Sequence, residues 1–145
     1  MDARTFFSEP DRQELEKAIR EAEAKTSGEL RIHLERTCSD PFERAKVVFA
    51  YLRMDETADR TGVLFYLAVE SQMFSILADE GINDRVPRGF WDDTRDRMVT
   101  QFRDGHFKEG LLAGVQAAGE QLARFFPRKE GDRNELADTI SFGER

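Results

Sequence analysis

The chain has 145 residues, 39% of them apolar and 35% charged, with a formal net charge of −7. That is enough for one domain with one sizeable core and a heavily charged surface, and the 12 phenylalanines suggest aromatic plugs between layers. Three classes are set aside by composition. The longest apolar run, VLFYLAV at 63–69, is about a third of the roughly 20 residues a membrane span needs. The single cysteine, Cys38, excludes an internal disulfide. Arginines are interleaved with acids, as in DDTRDR at 92–97, so there is no basic stripe for nucleic acid. The N-terminal MDARTFF has no apolar signal region, and with one cysteine this makes the cytoplasm the expected compartment.

The first helix is expected over about 9–26. Ser8 and Asp11 have capping-box spacing, Pro10 suits the first turn, and Leu15, Ala18, Ile19 and Ala22 form one stripe that Gly28 stops. The first strand is Glu29–Glu35. Leu30, Ile32 and Leu34 face one side, and Arg31, His33 and Glu35 the other, which places it at or near a sheet edge with one face less well covered. A second helix starts at Asp40-Pro41 and buries Ala45, Val48, Phe49 and Leu52. The second strand, 62–69, is apolar on both faces and so central. A short polar turn leads to the third strand, Met73–Ala78, and the two must form an antiparallel hairpin. Two helices follow, over about 88–104 with Trp91, Met98 and Phe102 inward, and over about 107–126, ended by Pro127. The tail at 127–145 is polar but carries Leu136, Ile140 and Phe142, which should dock on the body.

The order is α-β-α-β-β-α-α, without repeats, in one domain spanning 1–145. The first two strands, joined through a helix, form a right-handed unit and run parallel. The expected fold class is α/β: a small mixed sheet between helices, a three-layer α/β/α sandwich. In this topology the end of the third strand, Asp79, lies beside the starts of the first and second. Glu29, Asp79, Glu80 and Arg60 then converge at one end of the sheet. On these residues alone the acids are either a cation site or solvated sheet ends.

Other motifs fail on their chemistry. CSDPFER at 38–44 has the C-x5-R spacing of a phosphate-cradling thiol loop. Pro41 removes an N–H, however, and Asp40 and Glu43 would repel a dianion while serving well as a helix cap. His33 and His106 are isolated. Asp132, Asn134 and Glu135 begin like a calcium loop but lack its glycine and final glutamate. They still offer oxygens to a site built from several segments.

Five segments taken in order resemble the TPM domain family: EAKTSGELRIHLE (23–35), DETADRTGVLFYLAV (55–69), ILADEGIND (76–84), FRDGHFKEGLLAGVQAAGEQL (102–122) and NELADTISF (134–142). The family includes a thylakoid-lumen acid phosphatase and photosystem II repair proteins, and many members carry a signal peptide and membrane anchor; this chain is similar to a small soluble branch. The resemblance implies a mixed sheet between helices and a divalent cation, Ca²⁺ or Mg²⁺, at acids near the sheet end. The expected ligands are Asp79 and Glu29, with Asp132 and Glu135 added from the tail. A metal-assisted phosphomonoesterase, with Arg60 holding the phosphate, and a protein-interaction module without chemistry are the alternatives. Neither nucleic acid nor membrane is an expected partner.

Overall fold

The computed structural model describes residues 2–129 and 138–143. Its elements are α1 (Ala3–Phe6), α2 (Glu9–Glu23), β1 (Glu29–Glu35), α3 (Pro41–Tyr51), a 3-10 turn (Met54–Glu56), β2 (Gly62–Ala68), β3 (Met73–Ala78), α4 (Glu80–Asn83), α5 (Asp92–Arg103), α6 (Phe107–Phe125) and β4 (Ser141–Phe142). The sheet order is β3-β2-β1-β4. β1 and β2 are parallel, β2 and β3 antiparallel, and β4 lies parallel to β1.

The sheet divides two apolar clusters by simple alternation. Leu30, Ile32 and Leu34 of β1, with Val63, Phe65 and Leu67 of β2, pack on one face with Leu15 and Ile19 of α2 and with Leu111, Val115 and Leu122 of α6. Leu64, Tyr66 and Ala68 face the other way, onto Ala45, Val48 and Phe49 of α3 and Met54. Helices on both faces of a mixed sheet make the α/β/α sandwich that the element order implies.

Caps read from the sequence set the helix starts. The Ser8 hydroxyl accepts from Asp11 N, and Asp40 Oδ1 accepts from the N–H groups of Phe42 and Glu43, so the Cys38–Arg44 stretch is a helix cap in this fold.

Several boundaries differ from expectation. α2 ends at Glu23, short of Thr26, because Thr26 bridges to Pro127 and its hydroxyl donates to the Phe126 carbonyl. α5 starts at Asp92, because residues 87–91 form turns, with Phe90 N bonded to Pro87 O. β1 is not an edge strand along its whole length, since β4 pairs with His33 and Leu34. Its polar face is also well covered: His33 and Glu35 are buried. From the tail, Ile140 is buried in the larger cluster and Phe142 packs against it, whereas Leu136 lies outside the described residues. Among the described residues, no helix is long and apolar enough to cross a membrane.

Candidate functional site

The acids converge through strand register. Glu29 pairs with Gly62, and Asp79 N donates to Gly62 O at 2.9 Å, so Glu29, Gly62 and Asp79 form one row across three strands. Two strand spacings separate Glu29 from Asp79, about 10 Å between Cα atoms, with no side chain on the glycine between them. Both acids are buried.

Asp79 caps α4, its carboxylate accepting from Glu80 N at 2.8 Å. The same carboxylate takes a two-pronged bond from Arg60: Nε to Oδ2 at 2.7 Å and Nη2 to Oδ1 at 2.9 Å. Arg60 Nη1 also meets Glu80 Oε1 at 3.2 Å. The guanidinium thus spans both acids that end β3, and Asp79 raises its pKa. Two local features seat this pair. Arg60 adopts the left-handed conformation, φ 56°, which a non-glycine residue takes only at a cost of about 1–2 kcal/mol. Gly81 packs so closely on the Asp59 and Arg60 carbonyls that any Cβ there would overlap both.

Glu29 has a second set of acidic neighbours that sequence spacing did not reveal. Glu23, 5% exposed at the end of α2, accepts from Leu30 N at 3.0 Å. Burial pushes its carboxyl up to about 9, and a hydrogen bond with Asp138 and the charges of Asp138 and Glu29 act in the same direction. Near neutral pH Glu23 therefore holds a proton among carboxylates. The visible signal was its place at the end of an amphipathic helix, six residues before the start of a strand. Asp138 belongs to the tail, whose path no periodicity encodes.

Asp132 and Glu135 lie outside the described residues. Among the described residues, no group of three or more His, Cys, Asp or Glu side chains is arranged to hold a metal ion. A cleft of about 480 Å³ opens beside Arg60 and α4, lined in part by Ser27, Asp59, Thr61, Gly81 and Asp84.

A second polar cluster, unforeseen as a unit, occupies the α3-facing side of the sheet. Glu35 is fully buried and accepts four bonds: from Arg44 Nε (2.8 Å) and Nη2 (2.6 Å), Tyr66 OH (2.6 Å) and His33 Nε2 (3.2 Å). Burial opposes its charge, yet the bonds from Arg44, Tyr66 and His33 prevail and hold it down at about 2. Burial lowers the His33 pKa, and Arg44 and Arg31 add to this against the pull of Glu35. His33 Nδ1 meets Ser141 Oγ at 2.7 Å, tying β4 to the network. Period-two alternation showed that these residues share a face of β1; only the packing of α3 and β4 shows that His33 and Glu35 are buried there.

A four-stranded mixed sheet between helices, with acids gathered at the amino ends of its parallel strands, is the class of protein defined here. The profile of the TPM domain matches residues 1–121, and the chain belongs to that family. Among solved structures it is similar to the BA42 protein of the psychrophilic bacterium Bizionia argentinensis, with 48% identity over 95% of this chain and 96% of that one and a TM-score of 0.91. The N-terminal domain of a P. gingivalis protein (21% identity, 85% and 82% covered, TM-score 0.65) shares the fold. So does that of the cg2496 protein of Corynebacterium glutamicum (10% identity, 97% and 84% covered, TM-score 0.65). No curated protein matches.

Proposed function

We propose that this TPM domain binds a divalent cation, Ca²⁺ or Mg²⁺, through carboxylates at the amino-terminal end of β1. Glu29, Glu23 and Asp138 would supply oxygens there after rearranging, since among the described residues these acids as they stand are not grouped to hold a metal ion, and Asp132 and Glu135 would complete the set. Hard cations take oxygen ligands, and this end of the sheet is rich in carboxylates. The observation that carries the reading is Glu23: a buried carboxyl raised to about 9 beside Asp138 and Glu29. The proton there answers chiefly the cost of burial and only in smaller part the repulsion from Asp138 and Glu29, which is the part a cation would relieve. Asp79 lies across Gly62, with Arg60 as its counter-charge; as a further ligand it would exchange the guanidinium for the cation.

Calcium or magnesium titration of the ¹⁵N-labelled chain tests this. The amides of Glu23, Glu29, Leu30 and Asp138 should shift together and saturate. Binding near neutral pH should release protons, because the Glu23 carboxyl must ionise. Unmoved amides at these positions with millimolar metal would overturn the reading.

Arg60, engaged by Asp79 and Glu80, would have to leave both to hold a phosphate. Turnover of a phosphate ester that requires metal and is lost in Arg60→Gln would establish the phosphatase alternative.

A further inference from the structure

A second cavity, of about 540 Å³, lies beside Glu35 at the carboxyl end of β1. Ligands of α/β sheets gather at the carboxyl ends of parallel strands, and β1 and β2 are the parallel pair here. Val47 and Val48 of α3 and Phe142 of β4 give it apolar walls, and Tyr51, 83% exposed, stands at its rim. Arg44 and Arg4 line it from two elements.

We propose that this cavity is a binding site for a small organic oxyanion, its carboxylate or phosphate-type head on Arg44 and Arg4 and its apolar body against Val47, Val48 and Phe142.

Three observations carry this. Arg44 commits Nε and Nη2 to Glu35, with Tyr66 also beside it, and lines the cavity. Two short bonds fix the plane of the guanidinium before a ligand arrives, which removes an ordering cost from binding. Charge favours an anion: two guanidiniums face one carboxylate, and His33 is kept neutral, leaving one positive charge in the lining of a chain of net −7. The cavity is also closely built. Gly143 packs so tightly on Glu35 that a Cβ there would overlap the carboxylate, so β4 seals the network behind Arg44. Arg4 lies over the Phe142 ring at 5.8 Å, placing a cation next to an apolar wall.

Benzoate and phenylphosphonate are suitable probes, with benzyl alcohol and inorganic phosphate as single-feature controls. In the ¹⁵N-labelled chain both aromatic anions should shift the amides of Val47, Val48 and Gly143 saturably at millimolar concentration, and the controls should shift them far less. Arg4→Gln should weaken both anions about tenfold, the share of one charge-assisted contact. The Arg4 side chain makes no hydrogen bond among the described residues, so the variant should fold. Val47→Glu, at an exposed position, should weaken them similarly by repulsion. Equal shifts with benzyl alcohol would mean a merely apolar pocket, and equal shifts with phosphate a merely cationic surface. Either result, an unchanged affinity in Arg4→Gln, or no shift at these amides would overturn the proposal. The site lies at the opposite end of β1 from the acids, so its failure and that of the cation reading are separable.

Discussion

Two buried glutamates meet the cost of burying a carboxylate in opposite ways. Glu35 stays ionised, because Arg44, Tyr66 and His33 all bond to it. Its folded value, about 2, lies below the ordinary 4.5, so it contributes stability that is present above about 4.5 and lost as pH falls toward about 2. Glu35→Gln leaves Arg44 without its carboxylate and should cost about 3 kcal/mol, read as a lower urea midpoint, with a shallower loss of stability in acid. Glu23 instead keeps its proton. The folded chain holds that proton more tightly than the unfolded one, so this group's contribution falls as pH rises from about 4.5 to about 9. Glu23→Gln, in chelator, should flatten that slope and be more stable than wild type at pH 8 by about 1–3 kcal/mol. A slope equal to wild type would mean that Glu23 is not the buried acid described. Neither environment was legible in sequence, because each depends on a partner brought by folding: Arg44 from the next helix, Asp138 from the tail.

At the scale of elements, periodicity and caps carried far. β1 and β3 occupy the expected ranges, β3 pairing antiparallel with β2 as the short turn implied, and Ser8 and Asp40 cap the helices they precede. The short elements were hidden. α4 has four residues and β4 two, too few for any period, and both exist through contacts made elsewhere. α4 depends on the Asp79 cap and on Gly81 packing against Asp59 and Arg60; β4 depends on pairing with β1 and on the Ser141–His33 bond. The strand-end acids were found from connectivity, whereas the burial of His33 and Glu35 on the polar face of β1 was not, because alternation cannot say what covers a face. The tail's hold on the body has a direct test. Ile140 is buried in the main cluster and its N–H donates to Glu16 Oε2 at 3.0 Å. Ile140→Ala should cost about 2–4 kcal/mol by calorimetry and speed hydrogen exchange at Phe142 and Gly143. Exchange unchanged there would mean that β4 holds independently of Ile140.

For the whole molecule, the sandwich places two dissimilar polar clusters at the two ends of β1: carboxylates at its start, and guanidiniums around an ionised glutamate at its end. A chain of net −7 is electrostatically disposed toward cations, but general charge raises affinity only diffusely. A specific site must couple to stability, because a ligand that binds only the folded state stabilises it. Thermal melts of wild type and Glu23→Gln, in chelator and across a calcium or magnesium series at neutral pH, measure that coupling most directly. The account predicts that the wild-type midpoint climbs with the logarithm of metal concentration above Kd, by the equivalent of about 2.7 kcal/mol at a hundredfold excess, and that Glu23→Gln gains clearly less. A wild-type midpoint that does not move with metal, or equal gains in the two proteins, would contradict it.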